Sequence, residues 1–159
     1  MVSIRRAVPG DGQKIGAVFD AAVREAWTYL GALARNPMFS PEEWDNVVIE
    51  HAPPNALLVA IDETGNLIGF TAVHPRDGEM YLLFVHPEHA GRGVGRALLD
   101  AAHEALRNAG CREAFLYTHE ENVRALAVYE AAAYRRGGSV RESDFRGVHL
   151  RELRLVKPL

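Results

Sequence analysis

The sequence predicts an α/β fold: a mixed, mostly antiparallel, twisted sheet with helices on both faces. Three features of the 159-residue chain lead there. Residues 57–62 and 67–74 are apolar runs joined by Glu63-Thr64-Gly65-Asn66, which is hairpin chemistry and makes neighbouring strands antiparallel. Residues 80–85 form a continuous apolar run closed soon after by Pro87, which reads as a buried strand. From Val94 the apolar period changes to three and four residues (Val94, Ala97, Leu98, Ala101, Ala105, Leu106) until Gly110, the stripe of an amphipathic helix. The apolar run 114–118 that follows this helix is therefore expected to lie parallel or nearly parallel to 80–85, through a crossover.

The remaining elements can be justified in chain order. Residues 2–7 alternate as a first strand, and Pro9-Gly10-Asp11-Gly12 turns the chain into a helix with Asp11 as its expected cap. Ile15, Phe19, Ala22, Val23, Ala26, Trp27 and Leu30 continue at helical spacing to a break near Asn36-Pro37. Ser40-Pro41-Glu42-Glu43 opens a second helix, with Ser as N-cap, Pro at the first position and Glu at the capping-box position. That helix is expected to end before Pro53-Pro54. Arg76-Asp77-Gly78 is a turn into the strand at Met80. A short helix is expected from Val123 to about Ala132, capped by Asn122 or by Thr118 with Glu121. After Gly137-Gly138, residues 139–142 and 148–156 read as a last hairpin around 143–147.

Length and composition bound the function. The chain is expected to fold as a single domain, residues 1–159, with a core that needs neither metal nor disulfide. The net charge of -3 offers no basic surface for nucleic acid or an anionic membrane. A single cysteine, Cys111, and the lack of a signal peptide or spanning apolar run make the cytoplasm the expected location.

The chemistry is expected where the 80–85 strand meets the helix at Val94. A glycine-rich loop entering a helix binds anions, because the first helical amides have no internal partner and the macrodipole favours negative charge there. A nucleotide-triphosphate loop would need Lys and Ser or Thr after the last glycine, and Gly95 is followed by Arg96 and Ala97. A dinucleotide fingerprint fails in both registers, since it would need glycine at Arg96 or Leu98. What remains is Gly91-Arg92-Gly93-Val94-Gly95-Arg96. This resembles the pyrophosphate loop of the GCN5-related N-acetyltransferases (GNAT family), in which Gln or Arg is followed by two residues, Gly, one residue, and Gly or Ala. Gly93 and Gly95 fill the glycine slots, while Ala90 stands in the Gln or Arg slot. A second motif, Asn122-x-x-Ala125-x-x-x-Tyr129, matches the family's downstream signature at its usual distance. Where members commonly carry Gly-Phe after the tyrosine, this chain has Ala133-Tyr134. The resemblance in element order extends over essentially the whole chain, and its specific motifs lie in 80–134.

The resemblance implies acetyl-CoA as cosubstrate, no metal, and direct transfer of the acetyl group to a primary amine of a small molecule or a peptide N-terminus. It implies that Gly91, Arg92, Gly93, Val94, Gly95 and Arg96 hold the pyrophosphate, and that main-chain groups at Phe84 and Val85 polarise the thioester carbonyl. It assigns Tyr129 as the acid that protonates the leaving thiolate, and Asn122 either to the cofactor arm or to a helix cap only. Glu79 occupies the place of a glutamate that acts as base through water in some members, although a solvated turn residue would look the same in sequence. His119 and Tyr117 are the other candidates for the base. His86-x-x-His89 lacks a third ligand in register and reads as loop histidines, and Cys111 as a small buried residue. The helices of the first half are implied to roof the acceptor pocket, and the last hairpin is the expected contact of a homodimer. The competing class is a non-catalytic acyl-CoA sensor or assembly module.

Overall fold

The computed structural model describes residues 1–159. Its strands are β1 (Ser3–Arg6), β2 (Ala56–Ile61), β3 (Leu67–His74), β4 (Glu79–Val85), β5 (Glu113–His119), β6 (Arg135–Phe145) and β7 (Val148–Pro158). Its helices are α1 (Gly12–Ala26), α2 (Ala32–Arg35), α3 (Pro41–Glu50), α4 (Val94–Asn108) and α5 (Val123–Ala131). All strands join one sheet in the order β1-β2-β3-β4-β5-β7-β6. Every neighbouring pair is antiparallel except β4 and β5, which are parallel because α4 connects them. The mixed, mostly antiparallel sheet expected from the sequence is thus the one observed. No helix is long and apolar enough to cross a membrane.

Helices cover both faces. Ile15, Val18, Phe19 and Val23 of α1 and Trp44 and Val48 of α3 pack against Leu57, Val59, Phe70 and Ala72. On the other face Leu99, Ala102 and Leu106 of α4 and Tyr129 of α5 pack with Val73, Met80, Ala114 and Leu116. Helices α1 and α3 approach closely because Gly16 has no side chain: a Cβ there would stand 2.9 Å from the Trp44 ring. One phase change in β4 matters for the site. The register with β3 slips beside Tyr81, so that Met80 faces α4 while Leu82 and Phe84 face the α1 side. A bulge re-aims side chains in this way, and a uniformly apolar run carries no sign of it.

Several local expectations hold. The Ser40 capping box forms in full, with Ser40 Oγ accepting from the Glu43 amide at 3.1 Å and Glu43 Oε2 from the Ser40 amide at 2.6 Å. Asn122, not Thr118, caps α5, accepting from the Ala125 amide at 3.2 Å. Others are corrected. Asp11 stands at the start of α1 but does not cap it, because its carboxylate turns back to Arg5 at 2.8 and 3.1 Å and to the Val8 amide. Asp45 of α3 takes over, accepting from the amides of Gly10 and Gly12. Helix α1 stops at Ala26 rather than near Asn36, and a single 3-10 turn, Thr28–Leu30, leads to the short α2. Gly137-Gly138 does not precede the last hairpin but lies within β6, where the register slips between Arg136 and Val140. The hairpin turn is only Arg146-Gly147, both with positive φ as a two-residue turn requires.

Two features stabilise the end of α5. Ala133 adopts φ 70°, the left-handed region where the family has glycine. Lys157 Nζ donates to the Ala132 carbonyl at 2.7 Å, and the Tyr134 hydroxyl lies 2.7 Å from Nε2 of buried His103 on α4. A left-handed alanine costs about 1–2 kcal/mol, and glycine's extra unfolded-state freedom returns part of that. Ala133→Gly is therefore expected to stabilise the fold by about 0.5–1 kcal/mol in urea titration.

Burial, with Lys157 and Arg107 nearby, pushes His103 down to about 4. In the unfolded chain it titrates near about 6.5, so between those values only the unfolded state takes up the proton. Stability attributable to His103 is then fully present above about pH 6.5 and lost as pH falls toward about 4, a total of roughly 3 kcal/mol. Urea titrations at pH 7 and 4.5 should show wild type losing more stability over that interval than His103→Asn.

Candidate active site

Strands β4 and β5 share a single register pair, Glu79 with Phe115, where the Phe115 amide bonds the Gly78 carbonyl at 3.0 Å. Beyond it they diverge, leaving that edge of β4 unpaired, and two cavities open in the split. One, of about 230 Å³, lies between the end of α1, β4, the glycine loop and α5. The other, of about 300 Å³, lies between β4, β5 and the β6–β7 hairpin. Both are walled by Trp27, Leu83, Phe84, Asn122, Ala125 and Tyr129, so they meet at those side chains.

At the mouth of the first cavity, α4 begins with Gly93 as N-cap at φ 84° and no side chain capping it. The amides of Gly91, Arg92, Gly93, Val94, Gly95 and Arg96 donate to no other protein group. Free amides at a helix N-terminus form an anion cradle. Gly91 and Gly93 have positive φ, which favours glycine at both positions, whereas Gly95 has ordinary room for a Cβ. Arg92 is exposed, and Arg96 is paired with Asp100 at 3.2 Å. Ala90 lines the cavity beside the loop, and so do Phe84 and Val85 along the unpaired edge of β4. The cradle fits a pyrophosphate, and the largely apolar walls fit the uncharged arm of a coenzyme A thioester.

Tyr129 stands where the two cavities meet. Burial pushes its phenol above the ordinary tyrosine value, so it stays protonated at any physiological pH. Its hydroxyl takes no hydrogen bond from the protein yet is not a sealed, unsatisfied group. Asn122 lines both cavities, but its Oδ1 is engaged as the α5 cap.

The second cavity is polar at its far side. Glu79 lines it and is mostly buried rather than a solvated turn residue. Burial raises its carboxyl above the ordinary glutamate range; Arg141 opposes this, and Asp77 and Glu152 reinforce it. Burial also pushes Glu152 up, but hydrogen bonds from Arg141 at 2.8 Å and Ser143 at 2.9 Å outweigh it and hold that carboxyl low. The Arg141 guanidinium lies 3.8 Å above the centre of the Tyr117 ring, so Tyr117 is a platform for a cation. His119, lowered by burial against the opposing pull of Glu152 and Glu121, bonds the Tyr29 hydroxyl through Nδ1 at 2.6 Å and packs on Trp27. A separate bridge, Arg124 to Glu25 at 3.3 Å, ties α5 to α1 across the cleft.

The predicted residues Tyr129, Asn122, Glu79, Phe84 and Val85 thus border one split, with the glycine loop at its mouth. Sequence reasoning ranked Trp27 with the core ahead of the acceptor pocket, and it missed Arg141 and Glu152 as the polar end. An aromatic on a helical apolar stripe suits a core and a pocket wall alike, and Glu152 is visible only as a polar residue one place before Leu153. His86 and His89 flank a short turn, with His86 Nδ1 accepting the Glu88 amide at 3.2 Å. No group of three or more His, Cys, Asp or Glu side chains is arranged to hold a metal ion.

Comparison with known proteins agrees with this geometry. Residues 19–134 match the Acetyltransferase (GNAT) family. The mycothiol acetyltransferase of Pseudarthrobacter chlorophenolicus is 31% identical over 145 residues, covering 85% of this chain and 43% of that protein. The chain spans less than half the length of the curated relatives it matches. The solution structure of YjaB from Escherichia coli superposes with a TM-score of 0.72 at 28% identity, covering 98% of this chain and 97% of the other. YncA from Salmonella typhimurium, determined with its cofactor acetyl-CoA, shares the fold with a TM-score of 0.76 at 16% identity, over 99% and 94% of the two chains. By its matched sequence, its sheet and its split between β4 and β5, the chain belongs to the GNAT family of acetyltransferases.

Proposed function

We propose that the protein transfers an acetyl group from acetyl-CoA to a primary amine carried by a small molecule. The observation that carries this reading is the position of Tyr129, whose side chain walls both the cavity beside the anion cradle and the cavity lined by Glu79. When bound, acetyl-CoA supplies an activated thioester carbonyl and a thiolate leaving group. The amides of residues 91–96 hold its pyrophosphate, helped by the charge of Arg92. The unpaired edge of β4 at Phe84 and Val85 directs main-chain hydrogen bonding at the carbonyl oxygen. Glu79 takes one proton of the acceptor ammonium; as the C–S bond breaks, Tyr129, kept protonated by burial, gives its proton to the sulfur and regains one from the nitrogen that has bonded the acetyl carbon.

The acceptor cavity has Trp27, Tyr81, Phe84 and Phe145 as aromatic walls and the carboxylates of Glu79 and Glu152 at its polar side. That combination suits an amine that is cationic in solution. The names of the curated relatives favour an acceptor of the mycothiol type over a peptide N-terminus. A cytoplasmic setting, suggested by the single free thiol of Cys111, is part of the same proposal.

Release of free coenzyme A thiol across a panel of amino sugars, aminoacylated sugars, polyamines, amino acids and short peptides tests the reading. Turnover should depend on one class of amine. Tyr129→Phe should lower kcat by roughly 100-fold while acetyl-CoA affinity stays within about two-fold. Unchanged turnover would return Tyr129 to the core, and acetyl-CoA binding with silence across the panel would favour the sensor class.

The pH dependence follows from Glu79, which must be ionised to act. As pH falls through its raised pKa, turnover should fall, with the acid limb lying above the ordinary glutamate value of about 4.3. Glu79→Gln should abolish that limb together with most activity. In the binding half, Ala90→Arg restores the side chain usual in the family at a position already lining the cavity. Calorimetry should find acetyl-CoA bound several-fold more tightly; no change would mean that the backbone cradle alone sets affinity.

A further inference from the structure

Behind Glu79, away from the acceptor cavity, lies a histidine pair that the reaction above does not use. His74 ends β3 directly opposite Glu79, and its Nδ1 is 3.8 Å from Glu79 Oε2. His74 Nε2 is 2.9 Å from Nε2 of His51, which caps the C-terminal end of α3 and is buried. His51 Nδ1 is in turn 2.8 Å from the Val47 carbonyl. Tyr81 stacks on the outer face of His74, with ring centroids 4.7 Å apart, and the two imidazoles stack at 5.0 Å.

These contacts determine where the protons sit. A carbonyl only accepts, so His51 carries its proton on Nδ1 and, being neutral, has a bare Nε2. His74 must then donate from Nε2, which leaves its Nδ1 as a lone pair on the side of Glu79. From this geometry we propose that His74, locked in one tautomer by His51, is the proton acceptor for Glu79, so that Glu79 and His74 form a relay that carries the acceptor's proton out of the cavity. The inference rests on the assignment of Glu79 as base.

In the relay the N–H bond of the acceptor ammonium breaks as an O–H bond forms on Glu79. That O–H then breaks as an N–H bond forms at His74 Nδ1, giving an imidazolium beside a regenerated carboxylate. His74, about one-quarter exposed, releases the Nδ1 proton to water and recovers its neutral tautomer. The gap of 3.8 Å is closed by a small rotation of the carboxyl or by one bridging water. His51 cannot carry the proton further, because its other nitrogen faces only a carbonyl; it is a positioning residue.

Burial raises the Glu79 carboxyl and lowers both imidazoles, which brings the proton affinities of donor and acceptor together. The other titratable or charged groups around Glu79 and the two histidines are Asp77 in the turn before β4, Glu50 on α3, Arg6 on β1, which donates to the His51 carbonyl at 3.2 Å, Arg141 on β6 and Glu152 on β7, with Tyr81 on β4. Asp77 raises the proton affinity of His74 and of Glu79 alike, and Glu152 that of Glu79, whereas Arg141 lowers that of Glu79 and so favours the outward direction.

Nitrogen-15 NMR of the histidine rings tests the arrangement on the full chain without any acceptor. At pH 8 the expected spectrum has His74 unprotonated at Nδ1 and His51 unprotonated at Nε2. Glu79→Gln should move the His74 titration midpoint down by about one pH unit, because the imidazolium loses its carboxylate. His51→Phe keeps an aromatic ring in the stack and should leave His74 exchanging between tautomers. A His74 protonated on Nδ1 at pH 8, or a midpoint indifferent to Glu79→Gln, overturns the proposal.

In the thiol-release assay, His74→Gln should lower kcat about ten-fold without changing the KM for acetyl-CoA, and imidazole buffer should restore turnover in proportion to its concentration. Full turnover of His74→Gln, or a defect that imidazole does not relieve, overturns the relay while leaving Glu79 as base. Full turnover of Glu79→Gln instead removes the base assignment, and the relay with it, even if the tautomers are as described.

Discussion

The rest of this structure depends on the parting of two parallel strands. A sheet normally satisfies every backbone group along each interior edge, and an unpaired amide away from water is costly. Here β4 and β5 are held together at Glu79 and Phe115 and then diverge. The divergence is sustained from both sides. Strand β5 is paired along its full length with β7, and β4 along most of its length with β3, so each strand has its own anchor and neither can close the gap alone. Into the gap project Tyr129 from α5 and Trp27 from the end of α1, and the helix following β4 starts with its amides free. The backbone groups that a sheet would have used internally are thereby left free along the gap.

Burial is the main electrostatic device around this gap. It keeps the Tyr129 phenol protonated, raises Glu79, and lowers His51, His74 and His119. Each of these shifts disfavours the charged form. Glu152 shifts the other way: hydrogen bonds from Arg141 and Ser143 hold its carboxyl low. The pairings Tyr29 with His119 and Glu25 with Arg124 join the α1 side to the β5–α5 side over the same space.

The two departures from the family pattern have different physical weight. Ala90 in place of Gln or Arg removes a side chain from the cradle but none of its amides, which come from residues 91–96. Ala133 in place of glycine forces a Cβ into the left-handed region, and the Lys157 contact to Ala132 and the Tyr134–His103 pair secure that corner. The first leaves the loop amides in place and the second strains one residue, and neither displaces Tyr129 from the junction.

Much of the fold was legible in the sequence because it depends on local rules: the Ser40 capping box, the Asn66 hairpin, the helical stripe from Val94 and the glycines that admit positive φ. The anion loop was readable for the same reason, and the Asn122 to Tyr129 motif through its resemblance to the family signature. What only the tertiary structure decided involves partners far apart. Asp45 replaced Asp11 as the cap of α1 because α3 packs close enough to reach it, and Gly137-Gly138 became a bulge because β7 pairs on both sides of it. The phase slip at Tyr81 lay hidden in a uniformly apolar run, yet with it Glu79, Tyr81, Leu82 and Phe84 all line the acceptor cavity. Glu79 looked in sequence like a turn residue, and its surroundings of His74, Arg141 and Glu152 come from three other strands. Proton affinity depends on burial and on neighbours brought in by distant segments, so the chemistry of this site was set by the assembled sheet.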